Sequence, residues 1–237
     1  MKFGKYIQAL LMIASASFIS SCDDGNIYPA SGKDSGGKGL SVVMKGNITG
    51  NDAFYGTDYT LALAAFSEDN DFAVITKGVG QGEMEVTLSN IPAEAISVEL
   101  CVINRLRERI FTLASLPLED NTKETVSFDV GEIDASPYNV IATGVFAVSC
   151  SQCHGATGHA AAGLDLHPEE AYRMLVIVPS VIVEGEMRVK PGDASHSTLW
   201  QALATNISDS WAFSHSNLLT FEKTDFIETW INQGIPQ

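Results

Sequence analysis

Cysteine is scarce in this chain. Only Cys22, Cys101, Cys150 and Cys153 occur, and none follows Cys153. Four thiols so placed make a poor disulfide framework for a chain of 237 residues. They also leave no second CxxC pair to complete a four-ligand structural zinc site. Basic residues are short as well, with 14 Lys and Arg against 29 Asp and Glu. A chain at net −15 is a poor holder of nucleic acid, whose phosphates call for Lys and Arg. A basic or neutral protein partner suits that charge better. The apolar run from Ala9 to Ile19 is too short for a stable membrane span.

What is present falls into four stretches. Residues 1–21 carry Lys2 and Lys5, then the apolar run, then small residues. This is the layout of a secretory signal peptide. It ends Ile19-Ser20-Ser21-Cys22, which resembles a bacterial lipobox. The resemblance implies acyl chains on Cys22 and hence a stable membrane anchor. The location expected is the cell envelope, most simply the outer membrane, with the face left open. Residues 22–39 follow as a tether rich in Gly and poor in apolar groups.

At Leu40 the pattern changes. Residues 83–88 alternate polar and apolar, the period-2 signature of a half-buried strand, and 96–104 form the strongest strand-like run. Residues 40–46, 59–66, 72–76, 109–113 and 125–130 complete about seven short strands separated by turns. Residues 40–135 therefore read as an all-β sandwich. The layout loosely resembles immunoglobulin-like or transthyretin-like accessory domains of exported proteins. Arg105, Arg107 and Arg109 alternate along it and read as a solvated strand face. Cys101 lies in an apolar run and reads as a buried core thiol.

The chemistry concentrates at Cys150-Ser151-Gln152-Cys153-His154. Cysteines three apart on a helical turn share one face, so both sulfurs can form thioethers with the vinyl groups at one edge of a haem. The adjoining His154 then supplies a proximal imidazole to the iron. A helix over 138–150 is expected to lead into the motif, although Val140, Ile141, Val145 and Val148 are β-branched. At the far end, Phe221, Phe226, Ile227, Trp230 and Ile231 make a helical stripe after Thr220.

Several segments of residues 136–237 carry a wider likeness. CSQCHG (150–155), GLDL (163–166), AYRMLVIVPS (171–180), RVKPGDASHSTLWQAL (188–203) and FIETWINQGIP (226–236) resemble the planctomycete-type cytochrome c domains of exported bacterial proteins. The resemblance implies one covalent haem c, His154 as proximal ligand, and electron transfer rather than catalysis. In that family a methionine before the last helix supplies the distal ligand. Here the corresponding loop, 210–217, has none. His215 lies in that loop and is the preferred distal ligand, with Met187 and His196 as alternatives and an open iron site as a further one. Trp200, Trp211, Phe213 and Trp230 are placed to pack around a macrocycle, and Arg188 and Lys190 to meet its propionates.

The fold class expected is thus mixed and two-domain: the all-β sandwich of 40–135, then an all-α cytochrome c-like domain over 136–237. The function expected is that of an exported, lipid-anchored monohaem cytochrome serving an unidentified redox protein. Two rivals stand beside it. One is a haem enzyme or a gas or peroxide sensor with an open iron. The other is a surface-binding lipoprotein whose β-domain is the working part.

Overall fold

Alternation of apolar side chains sets the strand faces. In β1 (Leu40–Thr49), Val42, Met44 and Ile48 are buried while Lys45 is exposed, because neighbouring side chains of a strand point to opposite faces. The computed structural model describes residues 39–118, 124–155, 160–209, 211 and 214–235. Residues 1–21 (the expected signal peptide), Cys22, nearly all of the expected tether and Phe213 lie outside the described residues. Six more strands follow: β2 (Tyr59–Ser67), β3 (Ile75–Gly78), β4 (Gly82–Ile91), β5 (Ala95–Asn104), β6 (Arg109–Pro117) and β7 (Thr125–Asp134). They form two sheets. One has the order β4-β1-β7, with β1 antiparallel to β4 and parallel to β7; the other, β3-β2-β5-β6, is antiparallel throughout.

The central strands β2 and β5 are buried on both faces and so lose the alternation. One face joins the main core. The other packs Ala62, Ala64, Phe66, Ala73, Cys101 and Ile103 together. Glu99 is the charged exception on β5. It is 5% exposed, and it is satisfied by Ser97, Arg109 and Thr112. Arg109 also reaches Asp71 and lies over the Phe66 ring. The three arginines therefore do not share a solvated face: Arg107 sits in a turn with φ of 64°, and Arg109 is committed to Glu99.

Helix begins at α1 (Pro137–Ile141), where the Ser136 side chain accepts from Asn139 N and proline takes the first turn. Without a break it widens into a π-helix, Ala142–Cys150, closed by an i→i+5 bond from Ser151 N to Phe146 O at 2.8 Å. Gly144 lets this helix lie against β6: a Cβ there would stand 2.7 Å from the Phe111 ring. Then come α2 (Pro168–Leu175), α3 (Thr198–Ala204) and α4 (Phe221–Asn232).

This arrangement corrects the fold class expected from sequence. The described residues form a mixed α/β fold with two sheets and four α-helices, and the C-terminal part is not an all-α cytochrome. Between α2 and α3 the backbone makes bridges, pairing Val176 with Val189, Pro179 with Met187 and Met187 with Ser197. The first three α-helices have 5, 8 and 7 residues. Helices that short are marginal alone and take their stability from packing. The π-helix that continues α1 lies against β6 at Gly144, α2 packs on the π-helix and α3 on α4, and α4 in turn meets the sheets. Phe226 of α4 is 2% exposed and meets the edges of Tyr59 on β2 at 4.8 Å and Phe111 on β6 at 5.3 Å. One cluster of buried side chains consequently runs from Val42 in β1 to Ile235 beyond α4, and the described residues belong to a single compact unit, Lys38–Gln237. Phe221 is not part of the buried stripe; it is 77% exposed.

Candidate functional site

The π-helix delivers Cys150 at its last position. Ser151 Oγ and Gln152 Nε2 turn back to the carbonyls of Ala147 and Val148. The backbone N–H groups of Cys153 and His154 both donate to the Cys150 carbonyl, at 3.2 and 2.9 Å. Two thiols and an imidazole are thereby gathered on one tight turn. Cys150 is half-buried and Cys153 exposed. Burial, with Cys153 beside it, pushes the Cys150 thiol up to about 11. A disulfide-exchange CxxC needs the reverse, a lowered thiol. Among the described residues no three or more His, Cys, Asp or Glu side chains gather as a metal site, so the zinc reading finds no ligand set there.

His154 is fixed from two sides. Its carbonyl accepts from Leu166 N at 2.5 Å, and its ring Nδ1 lies 3.0 Å from the Ala161 carbonyl. A carbonyl can only accept, so Nδ1 carries a proton, and in the neutral ring the lone pair is on Nε2. Next in the chain, Gly155 is required by close approach. A Cβ there would stand 2.7 Å from the His167 ring and 2.9 Å from the Ser151 carbonyl. His167 is itself held to Asp165 at 2.9 Å.

The loop before α4 brings up a second imidazole. His215 opens a single 3-10 turn, His215–Asn217, entered through Ser214, whose side chain accepts from Ser216 N. Its ring centre lies 6.1 Å from that of His154, with the planes inclined by 37°. Trp211 packs against it at 4.6 Å, edge to face. Burial, and then the neighbouring His154, lower the His215 pKa, which favours the neutral imidazole that can ligate a metal.

Of the other residues picked out from sequence, His196 turns its Nδ1 to Asp193 at 2.9 Å, and Met187 lies in the bridged segment between α2 and α3. Arg188 donates to the Met174 carbonyl and Lys190 to Asp193, so both are engaged within their own neighbourhood. Trp230 is 1% exposed and lies near Tyr138 in the core. The Ala161 carbonyl is a site member that residue types could not reveal, since the acceptor is backbone.

No family model, curated protein or solved structure matches this chain.

The chemistry must therefore be read from the residues themselves. Two imidazoles bound to opposite sides of one metal, through nitrogens about 2.0–2.1 Å from it, hold their ring centres roughly 6.3 Å apart. The ring centres of His154 and His215, 6.1 Å apart, have a separation of that size. The donors also suit a haem c: two thiols three residues apart, and a histidine whose outer nitrogen is anchored on a carbonyl, as metal-bound histidines usually are. No described helix is long and apolar enough to cross a membrane.

Proposed function

We propose that this chain is an exported, lipid-anchored monohaem c-type cytochrome that carries electrons. The observation behind the reading is the His154–His215 pair, 6.1 Å apart, next to the cysteines of one CxxCH turn. When bound, haem c supplies one-electron redox chemistry at its iron. Cys150 and Cys153 would hold it covalently, and His154 Nε2 and His215 would hold the iron. The Ala161 carbonyl keeps the proton on His154 Nδ1 and so fixes the ring's orientation. Trp211 packs edge to face against His215 and helps to hold its ring. A histidine in place of methionine at the second axial position would lower the redox potential. The lipobox-like end of the signal peptide supports an anchor at Cys22 and a place on the outer membrane.

The test is the full chain exported by cells equipped to attach haem. The mature protein is expected to be red, with its mass raised by one haem, and Cys150→Ser with Cys153→Ser to lose the covalent pigment. A reduced spectrum of low-spin type, unchanged by CO, is the expected outcome for an electron carrier. Ready CO binding would move the reading to an open-iron sensor or enzyme. A colourless wild-type chain would sink it.

A further inference from the structure

Charge is unevenly spread over the molecule. No Lys, Arg, Asp or Glu occurs in residues 135–164, and residues 199–221 contain Asp209 alone. These are the two stretches that bring His154 and His215 together. Within them Val148 is 60% exposed and Phe221 77%. A single exposed apolar side chain is ordinary on a protein surface; these two matter because they flank one opening.

Beside Val148 opens a cleft of about 710 Å³, walled by β6, β7, the π-helix and the start of α4. Asp71, Glu108, Glu132, Asp134 and Glu222 line it, against Arg109 and Lys223. Both cations are engaged within the protein. Arg109 is bonded to Glu99 and Asp71, and Lys223 stands 5.4 Å from the centre of the Phe111 ring. Asp71 is spent on Arg109 in the same pairing, which leaves Glu108, Glu132, Asp134 and Glu222 against Lys223, so the cleft presents negative potential. Val148 and Thr220, the neighbour of Phe221, line it together, so the apolar lip and the acidic wall belong to one surface.

We propose that this surface is the docking face for a basic redox protein. Lys or Arg side chains of the partner enter the acidic cleft, and apolar groups around the partner's own cofactor pack over Val148 and Phe221. That the partner is a redox protein rests on the electron-carrier reading above; that it is basic rests on the cleft. Complementary charge raises the rate of encounter and orients it, and the net charge of −15 extends the pull on the same partner. An apolar centre with a charged margin is the usual build of a transient interface. An anionic membrane surface does not fit, because the carboxylates of the cleft would be repelled by it.

The test is calorimetric titration of the full mature chain with zinc-substituted mitochondrial cytochrome c, a basic probe that binds without exchanging electrons in the dark. An acidic flavodoxin serves as control. Saturable binding of the basic probe is expected at low salt, weakened about ten-fold between 10 and 200 mM salt by screening, with none to the flavodoxin. Glu132→Gln with Glu222→Gln is expected to weaken binding about five-fold at low salt and little at high salt. Val148→Ser with Phe221→Ser is expected to weaken it at both. Absence of saturable binding, or binding unchanged in either double variant, overturns the proposal. The heat of binding is read without electron transfer, while absorbance of the same sample reports on haem, so failure of docking and failure of the cofactor reading are told apart.

Discussion

Tyr59 on β2 donates its hydroxyl to Asp225 on α4 at 2.5 Å, and the same ring meets the edge of Phe226. Sheet and terminal helix are thus joined by a charged hydrogen bond and an aromatic contact side by side. Tyr59→Phe keeps the ring and removes the donor; it is expected to cost about 1.5–3 kcal/mol. Phe226→Ala is expected to cost about 3–5 kcal/mol. Both are read as a lower urea midpoint in one transition followed by sheet and helix signals together. A sheet transition unmoved by Phe226→Ala would show that the two parts unfold separately.

His215→Ala, His196→Ala and Met187→Leu separate the candidates for the second axial position. Only His215→Ala is expected to turn the haem-loaded protein from low to high spin and to admit CO. If His196→Ala or Met187→Leu produced that change instead, the 6.1 Å approach of His215 to His154 would be no more than ring packing.

Two glycines set how the CxxCH turn is presented. Gly144→Ala drives a methyl to 2.7 Å from Phe111 and is expected to destabilise by about 1–3 kcal/mol, measured by urea titration. Gly155→Ala meets a backbone carbonyl at 2.9 Å as well as the His167 ring. The turn must open to relieve it. The expected result is a smaller fraction of chains carrying covalent haem, counted by intact mass.

Asp193 anchors the turn before α3. Hydrogen bonds from Lys190, His196 and Ser195 hold its carboxyl well below the usual carboxylate range. An acid whose folded pKa is depressed adds stability above the ordinary aspartate value of about 3.9. That stability is lost as pH falls through the lowered folded value. Asp193→Asn is therefore expected to flatten the fall in stability below about pH 4, seen in urea midpoints taken across the acid range.

Local signals carried far in this chain, and long-range ones did not. Residues 83–88 show their alternation in the sequence and sit within β4. Cys150, Cys153 and His154 are picked out by spacing and His215 by its place in the loop before α4, and the fold brings the two histidine rings together. The π-helix was hidden because its β-branched residues weaken any helical reading without saying which helix results. The shared core was hidden for a different reason. Phe226, Tyr59 and Phe111 are far apart in sequence, and nothing in their local patterns says that a helical stripe is to meet a sheet rather than another helix. Arg109 resembles any solvated strand arginine until Glu99 is found buried beside it. The Ala161 carbonyl bonded to His154 leaves no mark on residue type at all.

The position of α4 also bears on the order of assembly. Its 12 residues leave the ribosome after every strand that Phe226 touches, so β2 and β6 keep an apolar surface uncapped while the rest of the chain is made. Apolar surface left open in that way exposes an unfinished chain to association with others, and α4 is the element that closes it.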